Sequence, residues 1–222
     1  MRNKDVKQLA AQPTSSYRYL SIGQLKAKKY ETIDLGERFR PLFGLIQTKF
    51  VIMMYGTSGC GKSVLTLELC QELSKHGKTL YNSHEEQDNK TFQDRVNEFE
   101  IDSRKITIAV SVPFDEMVRK IKTGHYSYVV IDSVQFMAFT YEQLKHLKEL
   151  GKRKKKFGII MVSFGNQKYN PKNAVDHLHA SDVKCYFKNG HIDVESRYLS
   201  APVRKQLFTP GAIKSSNQPT LF

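Results

Sequence analysis

Short apolar runs alternate with amphipathic stretches along most of this chain, beginning with "FVIMMY" at residues 50–55. The runs "TLYNS", "KITIAV", "YSYVVID" and "GIIMVS" have the length of strands, and the stretches between them have the character of helices. Strands that alternate with helices form a parallel sheet covered by helices on both faces. The sequence therefore predicts an α/β protein with a mostly parallel, twisted sheet.

Several boundary signals refine this prediction. Gly77 and Gly151 each follow a run of helix formers, as glycines that end helices do, and Asp88 in "DNKTF" precedes the next predicted helix. Near the C-terminus, Asn189-Gly190 separates two alternating segments in "DVKCYFKNGHIDVESRY". Asn-Gly between such segments is a strong hairpin signal, so we predict a C-terminal β-hairpin.

A chain of 222 residues is long enough for one sizeable core but not comfortably for two. We predict a flexible arm at residues 1–29, one globular domain at 30–208 and a disordered tail at 209–222. The first residues are polar, and no apolar run approaches the roughly 20 residues of a membrane span, so we expect a soluble, cytoplasmic protein without a membrane partner. Cys60, Cys70 and Cys185 form no metal-binding or disulfide pattern.

The chain is strongly basic, with 35 Lys and Arg against 22 Asp and Glu and a formal net charge of +13. Such a balance favours a polyanionic partner, because cations bind phosphates and release counterions. Lys152 to Lys156, "KRKKK", is the densest basic run. It is either a solvated end of a helix or a patch that tracks phosphates.

The stretch "GTSGCGKS" carries the clearest chemistry, since it matches G-x-x-x-x-G-K-[ST] between a predicted strand and a predicted helix. Its glycines let backbone N–H groups wrap phosphate oxygens, and the helix points its positive end at them. Lys62 would contact the β and γ phosphates of ATP, and Ser63 would bind Mg²⁺. The predicted nucleotide-binding residues are Gly56, Thr57, Ser58, Gly59, Cys60, Gly61, Lys62, Ser63 and Val64.

Acidic residues follow two other predicted strands. Asp132 ends "YVVID", which places its carboxylate at the edge of the sheet where doubly wound folds bind ligands, and we predict a second contact to Mg²⁺ there. Glu85 and Glu86 follow "TLYNS" at the same edge. We predict Glu85 as the base that polarises the attacking water, with Glu86 as the alternative.

The order of "GTSGCGKS", "LYNSHEEQDNKTFQDRVNEFEI", "YVVIDSVQ", "GIIMVS" and "DHLHASDVKCYF" resembles the ATPase core of RadA and the DnaB-type replicative helicases. These are P-loop NTPases of the RecA-like class, and the resemblance covers roughly residues 50–198. Asp132-Ser133 in place of Asp-Glu favours this class over the AAA+ ATPases. The resemblance implies a RecA-like fold, ATP and Mg²⁺ bound at subunit interfaces of a hexamer or filament, and DNA, in particular single-stranded DNA, as partner.

Further site residues follow only from this resemblance. It implies that Asn166, Gln167 and Lys168 sense the γ phosphate or contact DNA. It also implies that Arg197 reaches the nucleotide of a neighbouring subunit. Where the family has Lys-x-Arg, this chain has Glu195, Ser196 and Arg197, so hydrolysis is expected to be weak or to need a partner.

The last five residues, "QPTLF", resemble the motif with which bacterial polymerases and repair proteins bind the sliding clamp. Gln218 would supply an amide for a fixed hydrogen bond, and Leu221 and Phe222 would supply two apolar anchors. The alternative is a frayed terminus that folds back on the core.

Together these features predict an ATPase, DNA-dependent or helicase-like, that acts on DNA in replication, recombination or repair. The alternative is a switch or loader platform whose nucleotide sets its assembly without turnover. A small-molecule phosphotransferase would need an arginine-bearing lid, and the segment after Asp132 offers none.

Overall fold

The computed structural model describes residues 19–101, 104–165 and 174–207, and the chain divides at Tyr30 into two units. The first unit contains the helix α1 (Ile22–Lys26), whose first turn is capped by the side chain of Ser21. The predicted tail and residues 1–18 of the predicted arm lie outside the described residues. The domain boundaries inferred from the sequence therefore stay predictions.

The second unit begins at Glu31 and contains the remaining elements. Its helices are α2 (Gly36–Phe43), α3 (Lys62–Leu73), α4 (Lys90–Glu98), α5 (Phe114–Thr123), α6 (Tyr141–Lys152) and α7 (Val175–His179). Its strands are β1 (Thr32–Ile33), β2 (Ile46–Gln47), β3 (Lys49–Gly56), β4 (Thr79–Ser83), β5 (Ile106–Val110), β6 (Tyr128–Asp132), β7 (Phe157–Phe164), β8 (Val183–Lys188), β9 (His191–Ser196) and β10 (Val203–Gln206). In the described part of the chain, no helix is both long and apolar enough to cross a bilayer.

An eight-stranded sheet in the order β10-β9-β8-β3-β7-β6-β4-β5 forms the centre of this unit. The strands from β8 to β5 in this order are parallel, and β8 and β9 form an antiparallel hairpin around Asn189-Gly190. The predicted parallel sheet and the predicted hairpin are therefore confirmed. The edge strand β10 was not predicted, because "VRKQ" is too short and too polar to show a strand pattern.

Two apolar cores lie on opposite faces of the sheet, as period-2 alternation along a strand requires. On β3, Ile52 and Met54 pack into the core that contains α2 and α3, whereas Val51 and Met53 pack into the core beneath α5 and α6. Both sets are buried. The strands are therefore apolar on both sides, which confirms the prediction that helices cover both faces.

Two predicted helix boundaries are wrong in detail. Gly151 lies inside α6, which continues to Lys152. A Cβ at Gly151 would lie 2.6 Å from the Phe157 ring. The glycine thus permits close packing rather than ending the helix. The cap of α4 is Asn89 rather than Asp88, and its side chain accepts a hydrogen bond from the backbone N–H of Phe92 at 3.0 Å.

Candidate nucleotide-binding site

The glycine loop joins the end of the central strand β3 to the start of α3. Gly61 caps α3 in a left-handed conformation with φ of 93°, and no side chain bonds the first N–H groups of the helix. These groups are therefore free to bind an anion, and the helix dipole favours negative charge there. Residues 57–59 are exposed, so the loop is open to solvent.

Gly56 is required by close packing at the base of this loop. A Cβ at Gly56 would lie 2.3 Å from the carbonyl oxygen of Phe187 on the neighbouring strand β8. In contrast, Gly59 has open space around it and a φ of 71°. The two glycines serve different purposes, since the first allows backbone approach and the second allows the turn.

Lys62 lies over the loop and bonds to it. Its Nζ donates to the carbonyl oxygens of Gly56 at 3.1 Å and Thr57 at 2.7 Å, and lies 3.7 Å from Sγ of Cys60. The Cys60 thiol also donates to the Thr57 carbonyl, and burial raises the pKa of this thiol, with Lys62 lowering it. The ammonium is thus positioned where a phosphate would be cradled.

Asp132 lies at the end of β6, two strands from the glycine loop, with 3% of its surface exposed. Its Oδ2 accepts a hydrogen bond from the Tyr81 hydroxyl, while its Oδ1 is buried without a hydrogen-bond partner among the described residues. Burial raises the pKa of this carboxyl to about 6, the Tyr81 bond lowers it, and Glu85 and Glu86 raise it again. Lys62 also lowers this pKa, which places the lysine and the aspartate in one electrostatic site.

An unpartnered carboxylate oxygen in a buried site fits a divalent cation, because Mg²⁺ prefers carboxylate, hydroxyl and phosphate oxygens. Ser63 lies in the first turn of α3, immediately after Lys62, at the other side of this site. These two residues are therefore the ones that would hold Mg²⁺. The structure supports the fit at Asp132 through its orphan oxygen.

The segment after β4 is tied to Asp132 through the backbone. The N–H groups of His84 and Glu85 donate to the Asp132 carbonyl at 2.5 Å and 3.3 Å. Glu86 forms an ion pair of 2.6 Å with Arg95 on α4, and each of these side chains is 23% exposed. Among the described residues, the exposed Glu85 carboxylate makes no hydrogen bond or ion pair. The two acids thus differ in the structure, since Glu86 is paired and Glu85, which the sequence analysis preferred as the base, is exposed.

Three side chains at this edge were given no role by sequence reasoning. Tyr81 bonds Asp132, Arg95 holds Glu86, and Gln135 donates to the Ser163 hydroxyl at 2.7 Å while accepting from the Phe164 N–H at 3.1 Å. The Tyr81 contact depends on the pairing of β4 with β6, so no local signal predicts it. Gln135 is part of "VIDSVQ", but the sequence does not show which residues it bonds.

Arg197 lies at the opposite edge of the sheet from the glycine loop. It follows β9, whose Ser196 pairs with Val183 at the start of β8, whereas Gly56 pairs with Phe187 further along β8. The guanidinium bonds Asp182 at 2.8 Å and is 64% exposed, and Glu195 pairs with Lys184 at 3.4 Å. Arg197 therefore does not contact the loop of its own chain, and its action on a neighbouring subunit stays a prediction.

The remaining predicted site residues lie outside the described residues. Asn166, Gln167 and Lys168 follow β7 directly after Gly165, whose N–H donates to the Gly56 carbonyl at 2.9 Å. The clamp-like residues Gln218, Leu221 and Phe222 belong to the C-terminal stretch beyond residue 207. The roles assigned to both sets stay predictions.

A glycine loop between a central strand and a helix, facing a buried aspartate two strands away, defines a P-loop nucleotide-binding protein. The AAA domain family model matches residues 24–146, more than half of the chain, so the chain belongs to that family. Its fold is the RecA-like P-loop ATPase fold that the sequence resemblance implied. The description of this family contains the term AAA. The sequence argument that favours the RecA-like class over the AAA+ ATPases does not exclude membership of this family.

The solved structures that are similar in fold include the following two. The flagellar accessory protein FlaH from Methanocaldococcus jannaschii is 13% identical, with a TM-score of 0.57 over 81% of this chain and 95% of FlaH. The KaiC-like protein PH0186 from Pyrococcus horikoshii OT3 is 15% identical, with a TM-score of 0.55 over 80% of this chain and 93% of that protein. Among curated proteins, none matches this sequence.

Proposed function

We propose that this protein is a magnesium-dependent ATPase that acts on DNA, in replication, recombination or repair. The observation that carries the ATPase part is the orphan Oδ1 of the buried Asp132 at the same sheet edge as the glycine loop and Lys62. A buried carboxylate oxygen without a partner is costly unless a ligand satisfies it. A phosphate-bound cation is the ligand that such a loop presents to it.

Each residue of the site has a defined task in this proposal. The backbone N–H groups of 57–63 and Lys62 bind the phosphates, and Ser63 and Asp132 hold Mg²⁺, which neutralises phosphate charge when bound. Tyr81 keeps Asp132 in place and, by its hydrogen bond, favours the ionised carboxylate. These groups position the nucleotide and stabilise its charge, which is most of what catalysis of phosphoryl transfer requires.

Glu85 is the general base in this proposal, and Glu86 is a positioning residue. The Glu86 carboxylate is held by Arg95, so it fixes the last turn of α4 relative to the segment after β4. Glu85 is tied to Asp132 through its backbone N–H while its carboxylate stays exposed at the site. It is therefore the acid that can accept a proton from an attacking water.

The DNA partner is supported by charge and by exposed aromatic rings. The net charge is +13, and Phe136 and Phe164 are 65% and 43% exposed at the carboxyl edge of the sheet, where Gln135 joins their segments. Exposed rings on a protein of net positive charge suit stacking with the bases of single-stranded DNA. Assembly into a hexamer or filament, with Arg197 completing a neighbour's site, and binding of a sliding clamp by residues 218–222 belong to the same proposal.

An ATPase assay with and without single-stranded DNA tests this function, with Lys62→Ala as the comparison. We expect turnover in the parent that single-stranded DNA stimulates and that Lys62→Ala loses. Turnover that DNA stimulates in the parent, together with no turnover in the variant, would support a DNA-stimulated ATPase. Turnover that DNA does not change would remove the DNA part, and its absence under every condition would remove the ATPase part.

A second candidate, a nucleotide-dependent switch without turnover, is favoured by Glu195 and Arg197. Glu195 has the wrong charge for a phosphate, and the Arg197 guanidinium is engaged by Asp182. In this case ATP would change the oligomeric state without being consumed. Analytical ultracentrifugation with ATP, beside the turnover assay, separates the two functions.

A further inference from the structure

The amino edge of the sheet, where the parallel strands begin, carries a row of cations. Five neighbouring strands, β3, β7, β6, β4 and β5, each have Lys or Arg near their first residue. These cations lie in the strand itself, in the connection before it or at the end of the preceding helix. We call this set the amino-edge row: Lys49, Lys78, Arg104 and Lys105, Lys122, and residues 152–156. It lies at the edge opposite the glycine loop, because all of these strands run parallel.

Hydrogen bonds show that the members of the row are neighbours in space. The Thr79 N–H donates to the Lys105 carbonyl at 2.8 Å, and the Ser127 N–H donates to the Lys78 carbonyl at 2.9 Å. Lys154 donates to the Tyr126 carbonyl at 3.0 Å. The run 152–156 therefore lies beside the connection from α5 to β6.

The row continues to the strand that carries the glycine loop. The Lys49 Nζ donates to the Lys152 carbonyl at 3.1 Å, which joins the start of β3 to the end of α6. From β5 to β3 the row crosses four strand spacings, or about 19 Å. A DNA strand presents several phosphates over that length.

Most side chains of the row are available to a ligand. Lys78, Lys122, Arg153 and Lys155 are exposed, and none of them has a side-chain hydrogen bond or ion pair among the described residues. Lys154 is different, since it is half-buried and its amine is held by the carbonyls of Ile121 and Tyr126. It supports the row but does not belong to its contact surface.

Most of the acids described near this edge are paired with a cation. The described acids near the ends of α3, α4 and α6 are Glu72, Glu98, Glu100 and Glu149. Asp182, just before β8, is paired with Arg197, and Glu195 on β9 is paired with Lys184. Glu72 and Glu149 are paired with Lys75 and Lys152. Cations at helix ends are expected to complement the helix dipole, which accounts for Lys122 and Lys152 but not for the further basic residues 153–156.

The character of the row indicates which polyanion fits. Tyr126 and Tyr128, the rings at the connection from α5 to β6, are buried. Single strands are bound by exposed rings that stack with bases, and membranes by apolar side chains that insert. A row of cations without either is suited to the regular backbone of a duplex.

We propose that the amino-edge row binds the phosphate backbone of duplex DNA, independently of base sequence and separately from the ATP site. This inference rests on the proposed function in its choice of DNA as partner. It adds a second surface, since the exposed phenylalanines proposed for single strands lie at the carboxyl edge. The protein would thereby hold a duplex on one edge of its sheet and a nucleotide on the other.

Binding of a labelled random-sequence duplex, followed by fluorescence anisotropy over a range of salt concentrations, tests the proposal. The test variant combines Lys78→Gln, Arg153→Gln and Lys155→Gln. We expect its affinity to fall by at least about tenfold at low salt, and the slope of log K against log salt to decrease by about 3, since each lost phosphate contact contributes about 0.9.

Two matched variants keep the test interpretable. Lys26→Gln with Lys28→Gln and Lys29→Gln removes the same charge from exposed residues of the first unit, and we expect it to bind duplex like the parent. Lys78→Arg with Arg153→Lys and Lys155→Arg keeps the charge of the row, and we expect parental binding. An equal loss in the Lys26 set would show that binding follows net charge, and would overturn the proposal.

The failure of this proposal can be distinguished from the failure of the proposed function. If single-stranded DNA stimulates ATP turnover and the row substitutions leave the affinity for duplex DNA unchanged, only the proposal about the row is overturned. If the parent binds no DNA of either kind, both are overturned. The row proposal would also be overturned if the parent bound no duplex but sedimented with phosphatidylserine vesicles, and if the row substitutions abolished that sedimentation.

Discussion

At the carboxyl edge of the sheet Asp132 is buried and Glu86 is paired, whereas at the amino edge several cations are exposed and unpaired. Asp132 is 3% exposed and Glu86 is held by Arg95, while Lys78, Arg153 and Lys155 reach solvent. Buried, fixed charges hold a ligand in one geometry, whereas exposed, solvated charges attract a ligand without fixing its orientation. The first arrangement suits catalysis on one bound nucleotide, and the second suits a long polyanion.

The largest expected effect concerns the two glutamates at the carboxyl edge. Glu85→Gln should lower ATP turnover by about 100-fold to 10,000-fold while ATP binding is kept, because only proton transfer is removed. Glu86→Gln should lower turnover much less and should loosen the last turn of α4, because Arg95 loses its partner. Single-turnover hydrolysis and equilibrium binding on both variants measure this difference. A larger loss of turnover in Glu86→Gln would reverse the assignment.

The next effect is a dependence of stability on pH at Asp132 in the protein without nucleotide. Burial raises the pKa of its carboxyl from 3.8 to about 6, so the folded state binds this proton more tightly than the unfolded state. Stability should therefore fall by about 3 kcal/mol as the pH rises from about 4 to above 6. Urea unfolding across that range should show this slope in the parent and lose it in Asp132→Asn. The same slope in both proteins would contradict the assignment.

The glycines of the loop offer a smaller, matched comparison. Gly56→Ala should cost about 3 kcal/mol, because its Cβ would meet the Phe187 backbone. Gly59→Ala should cost only about 1 kcal/mol, since its space is open and only the left-handed φ is unfavourable. Thermal unfolding of the two variants checks the order. Equal costs would mean that the approach of β8 to Gly56 does not limit packing there.

The smallest effects are expected at the amino edge. Lys155→Gln should change the free energy of unfolding by less than about 0.5 kcal/mol, as exposed substitutions usually do. Lys154→Gln should cost about 1 kcal/mol, because its amine bonds two backbone carbonyls. Urea unfolding of both variants measures this difference. A larger cost at Lys155 would show that the exposed part of the row serves the fold rather than a ligand.

The strands and the loop were predictable because their signals are local. The apolar run before Gly56, the motif that ends at Ser63 and the Asn189-Gly190 turn each specify their own element. The position of Asp132 at the same edge as the glycine loop was predictable because the ends of parallel strands meet at one edge. The element order and the outline of the candidate site therefore followed from the sequence.

What the sequence could not predict depends on partners that are distant along the chain. Tyr81 reaches Asp132 only because β4 pairs with β6, and the choice between Glu85 and Glu86 depends on where α4 places Arg95. Gly151 carried the usual signal of a helix end but packs against Phe157 instead. The amino-edge row likewise needed the strand order, since its members are scattered from Lys49 to Lys156.

We propose above all that the carboxyl edge binds ATP through the glycine loop. Equilibrium binding of ATP with Mg²⁺ to the parent and to Lys62→Ala tests it most directly. We expect the parent to bind ATP and the variant to bind it at least about 100-fold more weakly, because a desolvated phosphate loses its ammonium partner. Equal affinity of the two proteins, or no ATP binding by the parent, would contradict it.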